Sequence, residues 1–432
     1  MTKRHVEPKL VATAAAFDDF LDDIEGVDRL AIDTEANSMH AYRARLCLIQ
    51  CSDATRDWIL DPLAGFDLDP FFAILEDPDI EKIFHDAEFD ILLLSREHDV
   101  RLRGLFDTKV AASALGEEQF GLASLVHRRF GAKLDKTQQR SDWGKRPLDE
   151  SQVRYAAEDT HYLLELASQL VEELDDADAI RWELARAEFR RLKRLRSKEE
   201  PKNPDAWLRI KGSNLLAPKE LVVLRELWRW RESVAEKRDL PPFKVLGNAQ
   251  LLAITRARPT DLEGLARIDG VAGRPLERYG AIWVRILESL RDHPGLNRPV
   301  EPERSSAERR EGREDGEVFE RLKRWRKRVA DTTRIDASLV LHREVLERVS
   351  KLRPRPSTRA ELEATGDFEE WRLDAFAEGL LAAIAGQGSG AGDRGSSDRG
   401  RRKPANSRAK KNAKTTGRGR AASKPSKRRR SE

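Results

Sequence analysis

Short apolar runs alternate with helical patterns over the first 195 residues, and no strand pattern persists beyond them. The runs LAIDTE (30–35), RLCLIQC (45–51) and DWILD (57–61) have strand length and follow one another closely, which predicts consecutive antiparallel strands. A fourth strand is predicted over 81–84. Helical periodicity then dominates, so residues 1–195 are predicted to form one domain that combines strands and helices.

Three helical stretches follow the fourth predicted strand. They are DILLLSREH (90–98), GLASLVHRRFG (121–131), which closes on a glycine, and a long periodic stretch from Leu148 to about Leu174. The segment RSKEEPKNPDAW (196–207) is charged, contains proline and has no periodicity, so it is predicted to be a linker.

Two helical segments beyond this linker repeat one another at an offset of 95 residues. A tryptophan and a proline recur in register with an arginine and several aliphatic residues, which predicts a duplicated helical module over 205–293 and 315–385. Both tryptophans lie in apolar periodic runs and are predicted to be core residues. The identical pairs are Leu227/Leu322, Trp230/Trp325, Arg231/Arg326, Val234/Val329, Ala235/Ala330, Val245/Val340, Leu246/Leu341 and Pro259/Pro354.

The formal net charge of +4 averages two different regions. Residues 386–432 hold 16 Lys or Arg against 3 Asp or Glu, a net charge of +13 that leaves −9 for the rest of the chain. This segment is rich in Gly, Ser, Lys and Arg and has no aromatic residue, so it cannot bury enough apolar area to offset the entropy of ordering. A disordered basic tail is predicted.

The apolar runs are shorter than a membrane span, and the N-terminal MTKRHVEPKL lacks the apolar core of a signal peptide. These features predict a cytoplasmic protein without a membrane partner. The two cysteines, Cys47 and Cys51, lie in one predicted strand, where alternation places both on the same side. They are predicted to be reduced, buried residues rather than a disulfide or a metal pair.

Paired carboxylates end the first predicted strand. Asp33 and Glu35 are separated by one residue, and a period of two turns both to the same face. On a half-buried strand this pair is costly unless a cation or hydrogen bonds offset the repulsion. Exposed strand ends often carry acids as well, so the pair alone does not establish a site.

Two further polar clusters follow. In KIFHDAEFDILLL a strand enters a helix through His85, Asp86 and Asp90. Asp86 suits a helix N-cap, whereas Asp90 lies deeper in the apolar run and needs a partner. In YAAEDTHYLLEL, Tyr155 and Asp159 lie four residues apart on one helical face, which would also suit a packed ring beside a solvated carboxylate.

Together these clusters resemble the three motifs of the DEDD superfamily of 3′–5′ exonucleases, in its tyrosine-containing subgroup. The order agrees: DTE at 33–35, an Asp five residues after a His (His85 to Asp90), and Tyr-x-x-x-Asp (Tyr155 to Asp159). The surrounding sequence is similar to the ribonuclease D family. The segments that carry this similarity are RLCLIQ (45–50), FDTKVAASAL (106–115) and LDKTQQRSDWGKRPLDESQVRYAAEDTHYLLEL (134–166).

The resemblance covers residues 1 to about 385 and implies the architecture. An α/β ribonuclease-H-like exonuclease domain (1–195) is expected, followed by two all-α HRDC-like domains (205–293 and 315–385) and the disordered basic tail (386–432). The duplicated helical segments resemble the paired HRDC domains that follow the nuclease domain in this family.

The resemblance also implies roles for the motif residues. Asp33 would bridge two divalent metal ions, Glu35 and Asp159 would complete the first, Asp90 would hold the second, and Tyr155 would orient the attacking water. Hard cations require oxygen ligands, so four carboxylates suit Mg²⁺ first and Mn²⁺ as a substitute. A phenol with a pKa near ~10 suits positioning a water better than removing its proton.

Five residues are candidates for substrate contacts. Met39, His40 and Tyr42 closely follow the DTE strand, where members of the family hold the terminal nucleotide by stacking and apolar contact. His85 either forms a hydrogen bond at the strand end or contacts substrate. Arg146 either contacts a phosphate or pairs with a nearby acid.

The implied activity is that of a metal-dependent 3′–5′ exoribonuclease that trims structured RNA precursors, transfer RNA foremost, and releases nucleoside 5′-monophosphates. A DNA 3′–5′ exonuclease would use the same chemistry, but there is no polymerase region and the helical modules are paired. A non-catalytic RNA-binding scaffold is the third alternative, and the presence of all five motif residues counts against it. RNA is the expected partner both of an exoribonuclease and of a scaffold.

Overall fold

The computed structural model describes residues 7–197, 203–298 and 305–387. Residues 388–432, which hold nearly all of the predicted basic tail, lie outside these ranges, so the prediction of disorder there stays a prediction. Within the described ranges, no helix is both long and apolar enough to cross a membrane.

A six-stranded mixed sheet forms the centre of the N-terminal domain, with the strand order β1-β4-β3-β2-β5-β6. The prediction of consecutive antiparallel strands is confirmed for β2, β3 and β4, whereas β5 pairs parallel with β2 and with β6, and β1 pairs parallel with β4. The two edge strands have three residues each, too few for an alternating pattern to show. The strands are Lys9–Val11 (β1), Arg29–Ala36 (β2), Leu46–Ser52 (β3), Asp57–Leu60 (β4), Glu81–Phe84 (β5) and Leu105–Asp107 (β6).

Helices cover both faces of this sheet, which is why β3 and β4 are buried at every position. The first three helices pack on one face, and helices α4 to α8 lie on the other. The helices are Ala14–Asp23 (α1), Asp69–Glu76 (α2), Glu88–His98 (α3), Thr108–Leu115 (α4), Leu122–Phe130 (α5), Glu150–His161 (α6), Leu163–Asp176 (α7) and Ala179–Lys193 (α8), with a 3₁₀ turn at Pro62–Ala64.

The long periodic stretch that begins at Leu148 forms two helices, because α6 and α7 are separated at Tyr162. The Tyr162 ring stacks on Phe130 with a centroid distance of 5.3 Å. Apolar periodicity continues on both sides of Tyr162, so the sequence pattern gives no sign of this break.

The two cysteines are free and buried, as predicted, but the prediction that they share one side of the strand is wrong. The pairing of β2 with β3 shifts between Glu35 and Ala36, which leaves Cys47 as an extra residue on β3. This bulge reverses the alternation, so Cys47 packs beneath α6 while Cys51 packs against the helices of the opposite face. The bulge lies beside Glu35, at the end of the DTE strand.

The start of α3 also differs from the prediction. Asp86 does not cap the helix: it has a left-handed φ of 68° and its carboxylate pairs with Lys109 at 2.5 Å. Asp107, at the end of β6, accepts instead from the backbone N–H groups of Asp86 at 3.2 Å and Ala87 at 2.8 Å. The same carboxylate caps α4, so it fixes the starts of two helices at once.

Two helical modules follow, and their elements correspond one to one. The first module consists of Pro218–Lys237 (α9), Pro242–Val245 (α10), Asn248–Ala257 (α11), Leu262–Ala266 (α12) and Gly273–Ser289 (α13), preceded by 3₁₀ turns at Ala206–Arg209 and Ser213–Leu215. The second consists of Ser306–Thr333 (α14), Ala337–Val340 (α15), Arg343–Lys351 (α16), Arg359–Glu363 (α17) and Glu370–Ala385 (α18).

Equivalent positions make equivalent contacts in the two modules, which confirms the predicted duplication. Arg231 donates to the carbonyl of Leu246 at 3.1 Å, and Arg326 donates to the carbonyl of Leu341 at 2.8 Å. Both predicted core tryptophans pack inside their modules: Trp325 is 5% exposed, and the partly buried Trp230 lies edge-on against Trp283.

Candidate active site

The end of β2 presents Asp33 and Glu35 on the sheet face that α6 covers. Asp33 lies opposite Gln50 of β3 and Glu35 opposite Leu48, and residues directly opposite in an antiparallel pair share a face. Leu48 packs with Tyr155 of α6 in one buried cluster. Both carboxylates of the DTE strand therefore project toward the helix that carries the third motif.

Asp90 reaches the same place from the first turn of α3. Its side chain is only 4% exposed, and the hydroxyl of Thr34 donates a short hydrogen bond to its carboxylate. Thr34 is the middle residue of DTE, so the first and second motifs are in direct contact. A carboxylate in the first turn of a helix also faces the positive end of the helix dipole.

Helix α6 begins at a capping box: Asp149 accepts from the backbone N–H of Gln152 at 2.9 Å, and the Gln152 side chain accepts from that of Asp149 at 3.1 Å. This cap fixes the helix start one and a half turns before Tyr155. The Tyr155 ring is 8% exposed and packs on Trp143 with a centroid distance of 5.8 Å. Asp159, one turn further along, is half-buried.

The four carboxylates share one electrostatic environment. Burial, together with the charges of Asp90, Asp159 and Glu35, holds the pKa of Asp33 well above its usual range. Burial and the charges of Asp159 and Asp90 raise the pKa of Glu35 to about 8. Burial is also the main cause that raises the pKa values of Asp90 and of Asp159 to about 7 each. Desolvation and mutual repulsion thus make the fully ionised set unfavourable unless a cation offsets them.

Tyr155 responds to the same surroundings. Burial, followed by the charges of Asp159, Glu35 and Asp33, raises the pKa of its hydroxyl above the ordinary value. Its hydroxyl therefore stays protonated at any working pH, which suits a hydrogen-bonding role rather than that of a base.

The donor set fits a hard divalent cation, since it consists of carboxylate oxygens without a thiolate or an imidazole cluster. The side chains do not form a closed set of ligands: within the described ranges, no three His, Cys, Asp or Glu residues are grouped closely enough to hold a metal ion. The fit therefore rests on the chemistry of the donors and on the repulsion that raises their pKa values.

His85 forms the hydrogen bond that one of its two interpretations predicted. Its Nδ1 lies 2.9 Å from the hydroxyl of Thr108, which itself donates to the carbonyl of Phe84 at 3.0 Å. Burial lowers the pKa of His85 to about 4, so the ring is neutral at physiological pH. The interaction joins the end of β5 to the start of α4.

Arg146 is a structural residue, and the prediction of a phosphate contact is not supported. Its Nε and Nη2 bind both oxygens of Asp61 at 2.6 Å, which is the acid pairing weighed as the alternative. The remaining N–H groups donate to the carbonyls of Cys47, Trp143 and Lys145 at 2.7 to 2.9 Å. All five guanidinium donors are used, so none is left for a substrate.

The segment after the DTE strand divides into exposed and sequestered residues. Met39 is 46% exposed, as a substrate contact requires. Tyr42 is held by the first helical module: its N–H donates to Asp239 at 3.0 Å, its hydroxyl donates to Glu232 at 3.4 Å, and its ring packs on the module's core. The prediction that Tyr42 grips the substrate is therefore replaced by a contact between domains. His40 contacts Arg140 and Lys244, which lie in two other segments.

A buried polar network beneath α6 was missed by the sequence analysis. His161 Nδ1 donates to Asp57 at 2.7 Å, Ser52 donates to the other Asp57 oxygen at 2.6 Å, and Ser52 lies 2.7 Å from the hydroxyl of Thr160. The network ties the end of α6 to β3 and β4. His161 follows Asp159 by two residues, but its distant partner Asp57 could not be inferred without the sheet register.

Gln50 is a second residue that the sequence analysis did not single out. It is fully buried opposite Asp33, and among the described residues neither its Nε2 nor its Oε1 has a hydrogen-bond partner. A buried unsatisfied amide costs roughly 1–3 kcal/mol. Buried groups without a partner are rare in folded proteins, and this one lies directly opposite a candidate catalytic carboxylate.

Comparison with known proteins assigns the N-terminal part of the chain to the 3′–5′ exonucleases and the C-terminal part to the HRDC domains. The family model for 3′–5′ exonucleases matches residues 8–175, and the HRDC domain model matches twice, over 220–287 and 315–384. Ribonuclease D of Escherichia coli is 31% identical over 66% of this chain and 76% of its own length, and ribonuclease D of Zymomonas mobilis is 30% identical over 83% and 90%. The exosome complex exonuclease RRP6 of Saccharomyces cerevisiae is 29% identical over 71% of this chain but only 44% of its own length.

The solved structure of Escherichia coli RNase D, described as an exoribonuclease involved in structured RNA processing, superposes with a TM-score of 0.59. It is 27% identical, and the match covers 88% of this chain and 99% of that one. The fold and the site thus define a 3′–5′ exonuclease joined to two HRDC domains. The chain belongs to the ribonuclease D family and is an enzyme of the 3′–5′ exoribonuclease class. Exonucleases of this superfamily depend on divalent metal ions.

Proposed function

We propose that this chain removes nucleotides one at a time from the 3′ ends of structured RNA precursors, with transfer RNA precursors as the first candidate, and releases nucleoside 5′-monophosphates. The observation that carries the proposal is the convergence of four carboxylates and a phenol from three distant parts of the sequence. These side chains are buried enough to raise one another's pKa values. The family relationship supports RNA as the substrate.

Asp33, Glu35, Asp90 and Asp159 would hold two divalent metal ions, with Mg²⁺ or Mn²⁺ as the natural choice. Such ions, when bound, supply a hydroxide nucleophile at neutral pH and stabilise the departing 3′ oxyanion. Within this scheme Asp33 would serve both ions, Glu35 and Asp159 would serve the first, and Asp90 would serve the second.

The chain's own side chains account for the rest of the reaction geometry. The Tyr155 hydroxyl, protonated and fixed by packing on Trp143, orients the attacking water. The Thr34 hydroxyl holds the Asp90 carboxylate against the DTE strand. The network of His161, Asp57 and Ser52 holds the end of α6 on the sheet, so Asp159 keeps its place relative to Asp33.

One experiment separates this proposal from its rivals. The purified protein is incubated with end-labelled RNA and with DNA of the same sequence, with Mg²⁺ or Mn²⁺ and with EDTA. We expect a ladder of RNA shortened from the 3′ end, mononucleotide products, and no reaction in EDTA. A comparable ladder on DNA would favour a DNA exonuclease, and RNA binding without any cleavage would favour a scaffold.

A further inference from the structure

Three separate segments of the chain meet at His40. Its Nε2 lies 3.2 Å from the carbonyl of Arg140, and its Nδ1 lies 3.1 Å from the ammonium of Lys244, in the short helix α10 of the first HRDC module. Both contacts are satisfied at once by a neutral ring that donates from Nε2 and accepts at Nδ1. Asp142 also approaches Nδ1, at 3.6 Å. His40 thus joins the segment after β2, the loop before α6 and the first HRDC module.

This junction lies close to the candidate catalytic strand. His40 follows Glu35 by five residues, a distance that spans at most about 18 Å in a fully extended chain. The segment is not extended, because the carbonyl of Asn37 accepts from the N–H groups of His40 at 2.8 Å and Ala41 at 2.9 Å. The turn keeps the junction near the carboxylates at the end of the DTE strand.

The surface around His40 has the properties of a single-stranded nucleic acid site. The Phe243 ring, next to Lys244, is 51% exposed, and it and Phe89 are the two exposed phenylalanines among the described residues. Each of the three segments also supplies an exposed cation, Arg43, Arg140 and Lys244, and none of them forms an ion pair with another described residue. Sites for single strands combine exposed aromatic rings with such cations.

The second HRDC module shows that these side chains are not required by the module fold. At the positions equivalent to Phe243 and Lys244 it has Ser338 and Leu339. Leu339 is 5% exposed and belongs to the apolar core. The exposed ring and the exposed lysine are therefore particular to the module that contacts the segment after the DTE strand.

We propose that Phe243 and Lys244 form an upstream subsite for the single-stranded 3′ segment of the RNA substrate. Phe243 stacks on a base upstream of the two nucleotides that flank the scissile bond, and Lys244 contacts a phosphate of the same upstream segment. The subsite rests on the proposed exoribonuclease function and deepens it, since it makes the first HRDC module part of the substrate-binding surface and favours substrates with a short unpaired 3′ end.

The test compares a long single-stranded RNA with a dinucleotide, which contains only the two nucleotides that flank the scissile bond. We expect Phe243→Ala and Lys244→Ala each to raise KM for the long RNA and to weaken its binding in EDTA about tenfold, the effect expected when one stacking or phosphate interaction is removed. The value of kcat/KM for the dinucleotide should change less than about twofold. Lys244→Arg should retain most of the affinity.

Two control variants lie on the same module. Leu262→Ala removes a side chain that is 52% exposed, as Phe243 is, and Lys219→Ala removes an exposed lysine near the opposite end of α9, roughly 27 Å along the helix from Lys237. Both should behave as the parent protein does. Thermal unfolding of all variants shows that each is folded.

The proposal is overturned if the Phe243 and Lys244 variants bind the long RNA as well as their controls do. It is also overturned if they lose the dinucleotide and the long RNA to the same extent, because that would point to a disturbed catalytic strand. Failure of the proposed function is a different result: the parent protein itself would then leave RNA intact in the presence of metal.

Discussion

The two HRDC modules share a fold but are attached to the nuclease domain in different ways. Buried side chains of the second module, such as Trp325 and Leu341, belong to one continuous apolar cluster with those of α4, α7 and α8. The first module has its own cluster, and among the described residues of the nuclease domain Tyr42 is the one that packs against it. It also forms hydrogen bonds to the nuclease domain through Glu232, Asp239 and Lys244.

The two copies of the module therefore have different roles. Burial of apolar surface makes the second module part of the folding unit, since removing it would expose the nuclease domain's own core. The first module instead contacts the segment that leaves the DTE strand, where polar contacts can be remade without loss of the core. Positions 244 and 339, equivalent in the repeat, show the difference directly: a solvent-exposed lysine in one module and a buried leucine in the other.

The largest effect should come from neither module. Asp33→Asn and Asp159→Asn should each lower kcat on the order of 10⁴-fold or more, since losing a metal ligand removes several kcal/mol of transition-state stabilisation. RNA binding in EDTA should persist. Asp19→Asn, on the exposed side of α1 across the sheet, is the control and should be fully active. A module variant with a loss of comparable size would mean that the HRDC domains supply a catalytic group, contrary to the division of tasks above.

Tyr155→Phe deletes only the hydroxyl and should lower kcat by about 10²-fold with little change in KM, the pattern expected when a positioned hydrogen bond is lost. The ring still packs on Trp143, so the thermal midpoint should be unchanged. Tyr162→Phe, about two turns further along, provides the comparison, because its ring stacks on Phe130. If the two variants exchanged behaviour, Tyr162 would replace Tyr155 as the residue that orients water.

The equivalent positions 244 and 339 give a direct test of the two attachments. Leu339→Ala should destabilise the protein by about 2–5 kcal/mol, as large-to-small changes in a core do, while the surviving folded protein keeps its affinity for RNA. Lys244→Ala should leave the thermal midpoint unchanged and weaken RNA binding. Differential scanning calorimetry and fluorescence anisotropy on both variants measure the two effects. Equal stability losses would contradict the assignment of structural and substrate-binding roles.

A smaller effect follows from the polar contacts of the second module with α8. Glu188, 8% exposed, lies 2.6 Å from His342 Nε2 and 2.7 Å from Arg191. Burial alone would raise its pKa, but the hydrogen bonds from His342 and Arg191 outweigh burial and leave the pKa below its ordinary value.

A carboxylate whose pKa is lowered in the folded state stabilises the protein above its unfolded pKa, near ~4.3, and this contribution is lost as the pH falls further. Stability should therefore decline below about pH 4.3 more steeply in the parent protein than in Glu188→Gln, which has no carboxylate at this position to titrate. Thermal midpoints measured between pH 3 and pH 6 give the two slopes. Parallel curves would show that the pair does not contribute to the attachment.

Local patterns in the sequence were sufficient for four of the six strands, for the helical stretches at 90–98, 121–131 and 148–174, and for the repeat, because each depends on periodicity or on identities within one segment. The five motif residues were found because their spacing is short and their chemistry distinctive. Features that depend on distant pairing were not: the bulge at Cys47 depends on the register between β2 and β3, and Asp57 is 104 residues from its partner His161. The role of Tyr42 was missed for the same reason, since its partners lie in another domain.

The smallest effect concerns residues 388–432, beyond both modules and outside the described residues. They carry 16 Lys or Arg, so we predict that they add non-specific affinity for RNA to a body whose own net charge is −9. Truncation after Gln387 leaves the end of α18 intact, because Gln387 donates to the carbonyl of Ala382 at 3.0 Å. The truncated protein should show a flatter plot of log affinity against log salt, by close to ~0.7 in slope for each phosphate of a single strand that the protein no longer neutralises. Its kcat on a short oligonucleotide at saturation should be unchanged, since the carboxylates and Tyr155 are untouched.

A chain with these 16 residues replaced by Gln should match the truncation if charge alone is responsible. An unchanged slope in both variants would leave the first HRDC module as the source of RNA affinity outside the catalytic domain.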